Sequence, residues 1–184
     1  YIIDFILRSF FKLDSNLLSL SNYTILMQSN SVFGILIGSL RQRVVPKVFK
    51  QWKSYKQPFI TQSLRKLFLK IIFLIPPAIL CSIILIKYYF KIDFEWMFEA
   101  VLLVTIAMVF QEFSVWAQLV YEFYNRMLIY SLVVISIMIL IPVLINFSFE
   151  NYTLILAAFV LFTVNLVLMF STLLLYRLWR KIFV

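Results

Sequence analysis

Along most of the chain the hydrophobic positions do not alternate with polar ones but run on for about twenty residues at a time, broken by short clusters of charge. A bilayer core of ~30 Å is crossed by about 20 largely apolar helical residues. Four stretches meet that length: residues 67–86, 96–120, 127–145 and 152–176. A fifth, residues 22–45, is less apolar. It runs unbroken from Tyr23 to Arg41-Gln42-Arg43 and carries Ile25, Phe33, Ile37, Leu40 and Val44 on one side, so it is expected to span with its other side against something polar. Residues 1–12 read as the end of a further helix. The pattern predicts an all-α, polytopic transmembrane helix bundle of about five and a half spans. Period-2 alternation is missing from the long runs, which argues against an outer-membrane barrel and leaves helices as the way across.

Composition sharpens this. The 184 residues are 64% hydrophobic, against roughly 45–50% in soluble domains, and a water-soluble fold of this length has too little interior to hide that surface. The formal net charge of +9 would in a soluble protein raise the question of nucleic acid, but here its distribution matters more. Arg41, Arg43, Lys47, Lys50, Lys53, Lys56, Arg65, Lys66 and Lys70 surround the one long connector, Arg126 lies in a short loop, and Arg177, Arg180 and Lys181 lie in the tail. The opposite side holds Arg8, Lys12, Lys87 and Lys91. Basic residues concentrate on the cytoplasmic side of membrane proteins, so the C-terminus is expected to be cytoplasmic. The charge then needs no nucleic-acid partner. Trp52, Trp96, Trp116 and Trp179 are expected as interfacial anchors.

The connector, residues 46–66, is amphipathic. Val48, Trp52, Tyr55 and Phe59 recur at helical spacing and Lys47, Lys50 and Lys53 take another face, a pattern suited to lying along a membrane surface with the lysines near anionic headgroups. The preceding span is read as ending at Val45, and Pro58 as opening the helix that leads into the next. Pro76-Pro77 and Pro142 should bend their spans.

Ionisable and amide side chains inside spans are costly and are functional candidates by default. In the first complete span Asn30, Gly34, Gly38 and Arg41 fall on one face, flanked by Gln28, Ser31, Ser39 and Gln42. Gly34 and Gly38 form a GxxxG, which serves either close helix packing or the lining of a cavity. After Trp96, Gln111, Ser114, Gln118 and Glu122 form a polar stripe with Glu112 beside it, the deepest carboxylate of the chain. Glu112 could bind a cation or proton, or pair with a basic group. Asn165 and Thr172 are expected to hydrogen-bond to neighbouring helices, and Asp4 and Arg8, four apart, to each other.

Signals for catalysis are missing. There is no HExxH, GxSxG or P-loop lysine, so the chain is read as no enzyme, with no cofactor. His is absent and Cys81 stands alone, leaving no disulfide framework and no metal site of the usual ligands.

The order Ile3-Asp4-Phe5-Ile6-Leu7 closing a helix, Leu20-Ser21-Asn22-Tyr23-Thr24 opening the next, and Val44-Val45-Pro46-Lys47 ending that span before a basic amphipathic loop resembles the C-terminal half of the multidrug/oligosaccharidyl-lipid/polysaccharide flippase superfamily, in particular the O-antigen and capsule polysaccharide flippases. Two positions depart from the pattern: Asn22 stands where a Gly precedes the Tyr, and Asp4 is followed by Phe5 rather than Arg. The resemblance implies a protein of about twelve helices in two lobes, of which this chain is most of the second, working by alternating access in the bacterial inner membrane. The implied substrate is a polyprenyl-diphosphate-linked oligosaccharide, with membrane lipids as surroundings and a cation or proton for coupling.

Facing and depth then supply the assignments. Arg8 or Arg41 would hold the diphosphate, Gln28, Asn30, Gln111 and Gln118 the sugars, and Glu112 the coupling ion. Two other readings compete: a drug/cation antiporter of the same superfamily, and a non-transporting membrane subunit whose polar faces assemble a complex.

Overall fold

The computed structural model describes residues 7–9, 17–55, 62–92, 96–123, 127–148 and 153–183. Five long helices follow one another: α1, Leu17–Tyr55; α2, Gln62–Ile84; α3, Met97–Phe123; α4, Met127–Ser148; and α5, Leu154–Phe183. Residues 7–9 are helical as well, and no strand occurs among the described residues. The described segments Leu20–Gln51, Arg65–Tyr89, Met97–Trp116 and Leu154–Leu174 are each long and apolar enough to cross a bilayer. Helix α4 is apolar throughout Leu128–Leu144, and its full 22 residues rise about 33 Å at about 1.5 Å per residue. This is the all-α bundle of a multi-pass membrane protein.

Its outer surface agrees. Phe73 is 80% exposed, Leu128 74% and Ile35 71%, among many other large apolar side chains turned outward. Monomeric proteins in water rarely carry contiguous apolar patches beyond a few hundred Å², whereas hydrocarbon chains are a natural neighbour for them.

The register of the helices is set by specific pairs. Ser82 of α2 meets Ser29 and Asn30 of α1, while Val48 of α1 clusters with Leu67 of α2, so α1 and α2 run antiparallel. Asn30 meets Thr105, and Arg41 meets Glu112, so α1 and α3 run parallel. Helices α3 and α5 form the most extensive pairing. Ala100 and Ala107 face Ala157 and Ala158 in a common buried cluster, and such small residues let membrane helices approach closely without loss of packing. A second cluster, Phe33, Ile37, Val48, Leu67, Ile71 and Trp116, closes α1, α2 and α3 together at the basic end.

Pro46 does not close the first span. Helix α1 continues through it to Tyr55, so the first ten residues assigned to the connector are its last turns. Phe33, Ile37, Leu40, Val44 and Val48 keep one helical stripe across the proline, and Val48 is fully buried against α2. Pro46 is exposed, so the carbonyl it leaves unbonded can be satisfied outside the bundle. Burial past the proline outweighs one missing hydrogen bond. Pro58 and Phe59 lie outside the described residues, as does Asp4 with its expected pairing to Arg8. Pro76 and Pro77 both sit inside α2, and Pro142 inside α4.

Helix α2 ends in a π-helical turn, Leu85–Tyr89, one turn beyond the span read from sequence. The amides of Phe90 and Ile92 bond to the carbonyls of Leu85 and Ile86 at 3.1 and 3.3 Å. Lys91, at φ 55°, then turns the chain out of the helix.

Candidate functional site

Among the described residues, the two polar constellations that gather candidates from the sequence lie between the helices, one closed and one open. The closed one is centred on Asn30, which is fully buried. Its Oδ1 lies 2.9 Å from Thr105 Oγ1 on α3 and 3.4 Å from Ser82 Oγ on α2, and its Nδ2 donates to the carbonyl of Leu26 at 2.9 Å. Thr105 divides its single proton between Asn30 and the carbonyl of Val101 at 2.7 Å. In hydrocarbon an amide must be satisfied by protein, and one asparagine thereby ties three helices at one level. In this conformation Asn30 is closed to a substrate. Asn30→Leu, close in volume, is expected to cost about 1–3 kcal/mol from ~0.6–1.7 per interhelical hydrogen bond, read as a lower unfolding midpoint of the purified protein.

The open constellation is a cleft of about 410 Å³ between α1 and α3, lined by Gly34, Ile37, Gly38, Arg41, Met108, Gln111, Glu112 and Val115. At ~30 Å³ per molecule this is room for about a dozen waters, or for one charged headgroup or sugar ring. Arg41 Nη1 donates to Glu112 Oε2 at 3.1 Å. The arginine side chain is 30% exposed and the glutamate side chain 7%, so the pair is open on the arginine side and enclosed on the glutamate side. Glu112 Oε1 is buried, and the indole of Trp116, one turn on, lies beside the carboxylate. Side chains on a helix lean toward its N-terminus, so Arg41 reaches back from the basic end of α1 into the bundle. Glu112 lies about 22 Å along α3, at about 1.5 Å per residue.

The two glycines resolve the ambiguity of the GxxxG. A Cβ built on either Gly34 or Gly38 meets nothing within 4 Å. No neighbouring helix presses on them, and both form the floor of the cleft. Gly34→Ala and Gly38→Ala should therefore leave stability unchanged or raise it by up to about 1 kcal/mol through helix propensity, whereas alanine in a tight packing motif would lower it. Thermal unfolding of the two variants separates these outcomes.

The remaining candidates scatter. Gln111 is exposed and lines the cleft. Gln118 is exposed two turns further on, and Gln28 is exposed on α1; neither lines it. Arg8 donates to Thr24 Oγ1 at 3.3 Å and lies 5.9 Å from the centre of the Tyr23 ring, near the opposite end of α1 from Arg41, so the two arginines are not brought to one site. Ser114, read as part of the stripe, serves packing instead: its hydroxyl lies 2.7 Å from that of Tyr130 on α4, which donates at 2.8 Å to the Ser114 carbonyl. Asn165 donates to Leu161 of its own helix at 2.8 Å, the intrahelical alternative available to such residues, and Thr172 donates to Met169 at 2.9 Å. Ser82, Thr105 and Tyr130 were not singled out from sequence, because one hydroxyl in an apolar run gives no sign of the amide or hydroxyl it will meet.

The fold and the cleft together define a multi-pass helical membrane protein with an ion pair held in a polar recess of its bundle. No family model matches the chain, and neither a curated relative nor a solved structure matches it.

Proposed function

We propose that the chain is a lobe of a membrane transporter, and that the cleft between α1 and α3 is one wall of its translocation path. The observation that supports this most is the Arg41–Glu112 pair lying over open space floored by two glycines. Charges inside a membrane bundle that face a cavity mark substrate and ion pathways. Arg41 is the anchoring cation of this wall, Gln111 the adjacent amide and Glu112 the carboxylate for coupling.

The substrate class we propose is a polyprenyl-diphosphate-linked oligosaccharide, moved from the cytoplasmic to the outer leaflet of a bacterial inner membrane by alternating access, with the C-terminus cytoplasmic. A planar guanidinium suits bidentate recognition of phosphate oxygens. The cleft takes a headgroup rather than a whole oligosaccharide, so the rest of the substrate would lie against the other lobe. The basic end of the bundle, where Arg43, Lys47, Arg65, Lys66 and Lys70 are exposed, would draw anionic substrate and lipid headgroups to that side.

The test is flipping by the full-length protein in vesicles, with a fluorescent prenyl-diphosphate sugar and quenching from outside. Protein-dependent flipping that falls at least tenfold in Arg41→Gln supports the reading. Rates equal to those of empty vesicles overturn it.

A further inference from the structure

We infer that Glu112 is a built-in competitor for the anion site: it occupies Arg41 when no substrate is bound, and an entering phosphate group displaces it, whereupon the released carboxylate takes up a proton. The inference rests on the reading of the cleft as an anion path and adds how that site is regulated.

Three features carry it. The recorded contact joins one guanidinium nitrogen to one carboxylate oxygen at 3.1 Å. Arginine's planar fork can offer two parallel hydrogen bonds to an oxyanion, so the present arrangement uses half of what the fork provides. Next, both side chains line the cleft, but the arginine is the more open of the two, 30% exposed against 7% for the glutamate. An anion arriving through the cleft meets Arg41 first, from a side where the glycines place no side chain. Finally, Glu112 Oε1 is buried, with the neutral indole of Trp116 beside the carboxylate and Arg41 as the cation paired with it. Once Arg41 turns to a substrate phosphate, both oxygens of Glu112 lack a cation in a poorly solvated place, where a charged carboxylate is strongly disfavoured.

Among the described residues, the surroundings leave a proton as the means of neutralising it. Arg41, from α1, is the charged group among the described residues that acts on the Glu112 carboxylate. Helix α2 presents apolar Leu67, Phe68 and Ile71 to this region, and α5 packs on α3 through Phe162 against Phe110. Tyr130 of α4 is engaged with Ser114. Trp116 and Gln111, on α3 itself, carry no charge. The step balances simply: one proton moves from cleft water to the carboxylate, which becomes a neutral acid, as the phosphate takes over the guanidinium. By linkage, anion binding and proton uptake then favour one another, which couples substrate loading to a proton gradient.

The experiment is calorimetry on the purified full-length protein with farnesyl diphosphate as probe and farnesol as the uncharged control, in two buffers of different ionisation enthalpy. Wild type is expected to take up a proton more per ligand bound than Glu112→Gln, a comparison in which the ligand's own titration cancels. Glu112→Gln, relieved of its competitor, should bind at least tenfold more tightly at neutral pH. Unchanged or weaker binding by Glu112→Gln, or equal proton uptake, overturns the competitor role. The underlying site is judged separately by Arg41→Gln, Glu112→Gln, which removes both charges together and strands neither. That double variant should bind farnesyl diphosphate no better than farnesol; if it binds like wild type, the anion path itself fails.

Discussion

Arg41→Gln is expected to lower the stability of the purified protein by about 3 kcal/mol, while the double variant Arg41→Gln, Glu112→Gln loses about 1 kcal/mol or less. Removing one partner of a buried pair leaves the other charge without compensation, at a cost of about 3–5 kcal/mol, whereas removing both is often nearly neutral. The lower end applies because Arg41 is 30% exposed and because a stranded Glu112 can take up a proton rather than stay charged. For the same reason the deficit of Arg41→Gln should shrink as the pH is lowered. A double-mutant cycle by thermal or denaturant unfolding measures the coupling directly. Simple additivity of the two single variants would mean that the 3.1 Å contact does not bind the helices together.

Gly38→Leu is expected to reduce transport at least tenfold, about 1.4 kcal/mol on the barrier, with little change in stability. The position has nothing within 4 Å of a Cβ, so the fold accepts the side chain, but four added carbons occupy the cleft directly beside Arg41. Gly38→Ala, which adds one carbon, should transport at close to the normal rate. Measuring flipping and unfolding on both variants tells a filled pathway from a damaged bundle: a Gly38→Leu protein that unfolds early would place the glycine in a packing contact, against the geometry.

The spans were legible in the sequence because crossing a membrane demands a property that a local window measures, about 20 apolar residues without interruption. Glu112 was legible for a related reason, since a carboxylate deep in such a run stands out. Its partner was not. Helical spacing put Arg41 on the face of Asn30, Gly34 and Gly38, but it lies 71 residues from Glu112, and nothing local states which of the chain's cations a buried carboxylate will meet.

Periodicity also grouped residues that the bundle separates. Gln111, Ser114 and Gln118 share a stripe on α3, yet Ser114 is buried against Tyr130 while the two glutamines are exposed. A helix with neighbours on several sides has no single polar face, so each hydroxyl or amide goes to whichever helix presents a partner at its level. The end of α1 was placed at Val45 because the apolar run stops there, while the burial of Val48 that carries the helix past Pro46 is tertiary. The GxxxG was ambiguous for the same reason: spacing states that two glycines share a face, and only the position of the neighbouring helices states whether that face is covered.

The most direct test of the central claim, that the recess between α1 and α3 is water-accessible inside the membrane, is cysteine labelling of the full-length protein with a membrane-impermeant maleimide on a Cys81→Ala background. Gly38→Cys and Gln111→Cys should react readily and be protected by a prenyl diphosphate, while Phe73→Cys, on the outward apolar face, should not react. Labelling of the two cleft positions no faster than position 73 would contradict the account.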